Sequence, residues 1–287
     1  MTTGTVSEQM RFAAVGLMRG LDDKQRAQAA LPFADEAARR WLEYRPSRRP
    51  GVCLGLLSLN ARKAAHRLLA TALSDRAYAQ AMAIIALEEV LDRQEGWQFG
   101  RHSSDYWVSV FGEPAADEPW SWRFEGHHLS VSMTLRGEDV SPAPVFLGAN
   151  PARVSYAGLA VSRPLAPEED LAHALIEELG ASGRAVAVVA DEAPPDIRSG
   201  TRSRARQAIE PLGIAAASLG PRGVLRLGRR YCERHAALLP GPGRRFANRV
   251  RQYGRRRQSR AHRVAPAARR LRGGHTRQAL RRGSLAS

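Results

Sequence analysis

The sequence predicts an α+β protein in which a helical N-terminal layer packs on an antiparallel sheet, with the sheet incomplete at its C-terminal end and a disordered basic tail beyond it. Three observations carry that prediction. Apolar residues recur at helical spacing up to residue 95, the period switches to two after Gly96, and fifteen of the 44 Lys and Arg lie in residues 241–287, which hold no Asp or Glu. Residues 1–240 are left with 29 basic and 28 acidic groups, so all but one unit of the formal charge of +16 belongs to the tail. With 44% hydrophobic residues the chain can bury a real core, and a disordered polyelectrolyte is excluded for the first 240 residues. The expected organisation is one domain over 1–240, helical over 5–95, an antiparallel meander over 104–150 and mixed helix and strand over 165–238.

The helical layer is read from stripes and stops. Phe12, Val15, Gly16 and Leu17, and later Ala64, Leu68, Leu69 and Leu73, recur at spacings of three and four, the signature of a helix packed on one side. Asp22 and Asp23 open a short helix that Pro32 stops, and Pro46 and Pro50 mark a connector where no helix continues. Ser74 and Asp75 then cap a long apolar segment running to Gly96.

The sheet is read from alternation. Tyr106-Trp-Val-Ser-Val-Phe111 forms a strand, a turn-rich loop occupies 112–118, and Trp120, Trp122 and Phe124 alternate with Ser121, Arg123 and Glu125. Leu129, Val131, Met133 and Leu135 alternate with Ser130, Ser132 and Thr134, a turn follows at Arg136-Gly-Glu-Asp139, and Val145-Phe-Leu147 begins another apolar run. One face of this meander is expected to be dry. Polar positions are odd up to Glu125 and even from Ser130, which predicts a bulge at Gly126-His127-His128 that aims both imidazoles towards the polar face. Beyond Asn150-Pro151 the chain is expected to return to helix, starting at Pro167-Glu-Glu-Asp170, with a strand over 184–190 and a weaker helix-loop-helix over 203–230.

Several function classes are excluded. Cys53 and Cys232 form no Cys-x-x-Cys pair, so neither a disulfide framework nor a thiol-rich zinc site is encoded. No Gly-rich phosphate loop, Gly-x-Ser-x-Gly elbow or His-Glu-x-x-His motif occurs. The first thirty residues lack a basic start followed by an apolar run, and no window approaches ~18 uninterrupted apolar residues, so a cytoplasmic protein without membrane contact is expected.

The dense polar constellation on the predicted sheet is His127 and His128 with Glu125 and Arg123. Imidazoles and a carboxylate from neighbouring strand positions could hold a divalent metal through His127 and His128, or run acid-base chemistry through Glu125, His128 and Arg123. A sheet-packed histidine bonded to a carboxylate or loop carbonyl explains the same residues without a function. Arg101, His102 and Asp105 precede the first strand and could line the same cleft, or form a solvated loop. Trp107, Trp120, Trp122 and Phe124 could stack a ring-shaped small-molecule ligand, but their period of two places them in the core. The Arg-rich tail could hold nucleic acid by counterion release, yet it offers only Phe246 and Tyr253 for stacking and no Lys, so such binding is expected to be adventitious.

The stretches Tyr106-Trp-Val-Ser-Val-Phe-Gly112, Pro119-Trp-Ser-Trp-Arg-Phe-Glu-Gly-His-His-Leu-Ser130 and Phe146-Leu-Gly-Ala-Asn-Pro151 resemble the bacterial family of unknown function DUF3500. Ala86-Leu-Glu-Glu-Val-Leu91 and Leu165-Ala-Pro-Glu-Glu-Asp170 fit it too, so the resemblance runs over roughly 8–215. It implies no established reaction. It does imply further C-terminal blocks, of the type Tyr-Asp-Asn, Asn-His-x-His-x-Val-Trp and Gly-Asp-Phe-Gly, and the second would bring the remaining metal ligands. None is present as written, but residues 250–253, 257–265 and 269–282 all admit codons that spell these blocks, in order, when read one nucleotide later. The tail from about Arg245 therefore reads as a frameshifted version of the family's last strands, with the sheet edge near Val145 left open. Nucleotide sequence across these codons tests this, and codons that cannot spell the blocks in the shifted frame overturn it. The expected function is that of a metal-dependent or His/Glu acid-base enzyme, impaired in this copy, against a non-catalytic ligand-binding or structural module.

Overall fold

Reciprocal caps divide the N-terminal apolar pattern into helices. In the computed structural model, which describes residues 4–193 apart from Ala116 together with Pro195, Thr201, 213–215 and Leu219, α1 (Val6–Arg19) opens where Thr5 accepts from the Glu8 N–H and Glu8 reaches back to the Thr5 N–H. Asp22 and Gln25 do the same for α2 (Asp23–Ala29), Asp35 caps the single turn α3 (Glu36–Arg39), and Ser58 and Ser74 cap α4 (Leu59–Ala72) and α5 (Asp75–Gln94). Gly96, at φ +69°, terminates α5 in the left-handed region that glycine enters most readily. Two short strands interrupt this layer, β1 (Ala30–Leu31) and β2 (Val52–Cys53).

Both join the same side of β3 (Tyr106–Phe111), β1 parallel and β2 antiparallel. The sheet continues through β4 (Trp120–Gly126), β5 (Leu129–Arg136) and β6 (Asp139–Leu147), all antiparallel, with β6 last in the order. The α+β class is as expected. β6 starts earlier than the apolar run at Val145, because Arg136 pairs with Asp139 across a two-residue turn. Pro142 stands at the register shift against Met133, on a strand at the end of the order, where a missing N–H is tolerated.

The change of polar parity has a simpler cause than the predicted bulge. Gly126 pairs with Leu129, so His127 and His128 form the whole connection and His128 takes φ +58°. Across a two-residue turn, partners always have opposite parity, and odd polar positions on β4 must meet even ones on β5. Pairing is continuous from Trp120 with Leu135 to Gly126 with Leu129.

One face of the sheet packs Tyr106, Val108, Trp122, Phe124, Val131 and Met133 into a core with α1, α4 and α5. Trp107 was expected there but lies on the opposite face, half-buried beside Glu125. That opposite face is not solvated either. Ser109, Ser121, Arg123, Glu125, Ser130 and Ser132 are all buried, because the connector after α3 crosses them as a strap. Arg123 Nη1 donates to the carbonyls of Ala38 (2.7 Å) and Trp41 (2.9 Å), Ser109 Oγ donates to Pro50 O (2.9 Å), and the His128 N–H donates to Tyr44 O (3.0 Å).

Beyond β6 a hairpin of β7 (Val154–Tyr156) and β8 (Leu159–Ser162) precedes α6 (Ala166–Glu178), where loop and helix without strands were expected. The strand expected over 184–190 is instead the end of α7 (Gly180–Ala187). Short apolar runs are ambiguous between the two states, and the alanines here favour helix. The helix-loop-helix expected over 203–230 falls outside the described residues apart from 213–215 and Leu219, and the basic tail lies wholly outside them. No described helix is long and apolar enough to cross a membrane.

Candidate functional site

A long amphipathic helix normally keeps its carboxylates off the apolar stripe. α5 breaks that rule: Glu88 and Asp92 sit on the face that buries Ala77, Ala81, Ile84, Ile85 and Leu91, and both are buried themselves. A buried carboxylate needs a partner. Glu88 finds one in the β4–β5 turn, where its Oε1 lies 2.6 Å from His127 Nδ1. Tyr106 holds the turn from the other side by donating its hydroxyl to His127 O (2.9 Å), and burial keeps that phenol protonated far above its usual range.

This pair lies on the wall of a cleft of about 1130 Å³ between the strap, β3 and the loop before β3. Arg48 and Arg49 enter from the strap, Trp107 from β3, and Arg101 and Asp105 from the loop. Arg101 and Asp105 thus share a cleft with the histidine turn, where a solvated loop was the favoured expectation. His102 does not line it, being exposed beside Glu89 at 3.9 Å. Arg101 is held by both carboxylate oxygens of Glu95 (2.6 and 3.0 Å). Arg49 is 4% exposed, with Nη1 donating to Ser47 O (2.6 Å) and Nη2 to the carbonyls of Glu43 (3.0 Å) and Arg45 (2.6 Å). Cys53 also lines the cleft, and burial raises its thiol pKa, which disfavours the thiolate a nucleophile requires.

His128 turns its ring against that of His127, centroids 4.0 Å apart, in space left by the absent side chain of Gly148. Burial, then the neighbouring His127 and Arg101, push its pKa down to about 4, so it is neutral near pH 7. Among the described residues no group of three His, Cys, Asp or Glu side chains is placed to hold a metal ion. A metal at His127 and His128 would draw ligands from elsewhere, and Glu88 already engages Nδ1 of His127.

Arg123 and Glu125 occupy a different place. Each is 1% exposed and neither lines the cleft. Arg123 Nε stands 2.8 Å from Glu125 Oε1, yet neither atom has an aligned hydrogen bond, so the contact is a Coulombic one between buried charges. Ser130 Oγ donates to the other carboxylate oxygen (3.2 Å), and the Trp41 and Phe111 rings lie 5.8 and 5.4 Å from the guanidinium. Burial lowers the Arg123 pKa and raises that of Glu125 against their mutual attraction, so desolvation outweighs pairing. Their visible work is to pin the strap.

Sequence reasoning missed Glu88, Arg49 and the outward side of Trp107. The signal for Glu88 was present as an acid at stripe spacing between Ile84 and Leu91. No curated protein and no solved structure matches the chain. The family comparison matches residues 3–237, which include every described element and none of the Arg-rich run, and the chain belongs to the family described as protein of unknown function, DUF3500.

Proposed function

We propose that the cleft is the site of an acid-base enzyme acting on a small molecule, with His127 as general base and Glu88 as its orienting carboxylate. The observation that carries this is the 2.6 Å contact between Glu88 and His127 Nδ1 on the wall of the cleft. Engaging Nδ1 sets the tautomer and leaves Nε2 as the second proton site, the division of labour by which a carboxylate prepares an imidazole to accept a proton. In a hydrolysis, His127 takes the proton of a water, the resulting hydroxide adds to the electrophilic carbon, and the imidazolium returns that proton to the leaving oxygen. Glu88 remains a carboxylate throughout and stabilises the transient imidazolium. Arg101, fixed by Glu95, supplies a rigid cation on the same wall, fit to stabilise an oxyanion.

The test is turnover of a panel of activated esters by the full chain. His127→Asn is expected to lower kcat about 10²- to 10⁴-fold and Glu88→Gln by a smaller factor, with thermal melting as the control for folding. A His127→Asn variant that keeps the full rate would overturn the assignment. The second reading is a non-catalytic binding module, favoured by how completely the His127–Glu88 pair is buried. It predicts ligand binding without turnover, unaltered by His127→Asn.

A further inference from the structure

We infer that this cleft takes an anionic, ring-bearing ligand, a carboxylate carried on a flat apolar body, with Arg49 and Arg48 receiving the carboxylate and Trp107 the ring. The inference rests on reading the cleft as the functional site and adds the class of molecule it accepts.

The anionic end is argued from Arg49. A guanidinium that is 4% exposed would ordinarily be matched by a carboxylate, since the charge is costly to bury unpaired. Arg49 has no carboxylate oxygen within ion-pair distance among the described residues; Glu125, Glu43 and Glu88 act on its charge only from farther off, and its bonded nitrogens go to three backbone carbonyls. Its Nε is buried and has no hydrogen-bond partner. An unsatisfied donor on a residue that lines the cleft marks a guanidinium that the protein's own acceptors do not fully match. Arg48 adds a second, exposed guanidinium on the same stretch of strap. Glu88 is engaged by His127 and Arg101 is bound to Glu95, so Arg48 and Arg49, set against the Asp105 carboxylate, give the cleft its open cationic capacity on the strap side.

The flat body is argued from the opposite wall. Trp107 is a large aromatic of the sheet that stays out of the core and lines the cleft, and Arg49 lies 5.5 Å from its ring centroid. The guanidinium stands over the indole ring, so a ligand whose ring meets the indole brings its carboxylate within reach of the arginine. Leu31, Leu56 and Phe99 extend the apolar lining, and Leu56 and Phe99 are more than 60% exposed at its rim. Exposed side chains of that size around a cavity are accounted for by a ligand that covers them.

The probes are benzoate, benzamide, acetate and inorganic phosphate, titrated into the full chain with intrinsic tryptophan fluorescence and thermal melting as readouts. Benzoate is expected to bind with a dissociation constant in the range of about 1–10 mM, as suits so small a fragment, and to raise the melting temperature. Acetate lacks the ring, benzamide the charge, and phosphate the apolar body, so each is expected at least tenfold weaker. Arg49→Met should weaken benzoate about tenfold or more. Because Arg49 also braces the strap, Arg48→Gln serves as the second variant, with an expected loss of two- to fivefold and no change in melting. Trp107→Leu should remove both the affinity and the fluorescence response. Benzamide or acetate binding as tightly as benzoate overturns the inference, as does benzoate binding unaffected by both arginine variants. Benzoate binding that survives His127→Asn in a chain without esterase activity supports the ligand class and removes the acid-base reading, so the two proposals fail separately.

Discussion

His128 shows how one residue's position sets a pH dependence for the whole chain. Its backbone takes φ +58°, which few non-glycine residues besides Asn, Asp and His adopt, and its ring is half-buried beside another imidazole. A free imidazole protonates near 6.5, whereas this one, desolvated and next to His127, does so at about 4. Between those values the unfolded chain binds a proton that the folded chain refuses. Stability must therefore rise with pH across that window, and the contribution present above about 6.5 is lost on acidification through about 4. Melting temperature measured from pH 7 to pH 4 should fall, and His128→Asn should flatten that fall while raising the melting temperature at pH 5 more than at pH 7. Asn removes the titrating ring and suits the left-handed backbone better. An unchanged slope would assign the acid sensitivity to other groups.

At the scale of elements, the strap and the strand beneath it belong together. Arg123 on β4 donates to the carbonyls of Ala38 in α3 and Trp41 in the strap while its charge leans on Glu125, and desolvation of both groups makes the pair expensive to break from one side. Arg123→Met is expected to destabilise the chain by about 3 to 5 kcal/mol, because it strands Glu125 in the interior. The double replacement Arg123→Met with Glu125→Met should cost less than the single one, which urea denaturation of the three chains would show. A double variant as unstable as the sum of both singles would mean that the charges act independently. The same pair marks where sequence reading reaches its limit. β3, β4 and β5 were legible because alternation is a local property, and the starts of α2 and α5 because Asp22 and Ser74 act on the next turn. The strap was not, since a strand face written Ser, Arg, Glu looks solvated until a segment some eighty residues earlier is laid across it. The site was half legible for the same reason. His127 stood out in its turn, but Glu88 is 39 residues away and its meaning lies in which side of α5 it occupies.

At the scale of the whole molecule, charge and site are separate. The near-neutral residues 1–240 contain the cleft, while fifteen arginines without a single acid occupy 241–287, beyond the span matched by the family. An excess of this size binds phosphate backbones by releasing counterions, an effect that needs no sequence reading and fades with salt. The full chain is therefore expected to retain duplex DNA of any sequence at about 50 mM salt and to lose roughly 10³-fold in affinity or more by about 200 mM, as neutralising six or more phosphates would dictate. Ending the chain at Pro240 should abolish that binding and leave the pH profile of melting and the benzoate response unchanged. The strap presents its charge differently. Arg48 and Arg49 are also cationic, but one is exposed on a single wall and the other is buried, a geometry suited to one small anion and not to a polyanion. If the shortened chain still bound DNA with a comparable salt dependence, the cleft arginines would have to be part of a nucleic-acid surface, and the small-molecule reading of the cleft would lose its main support.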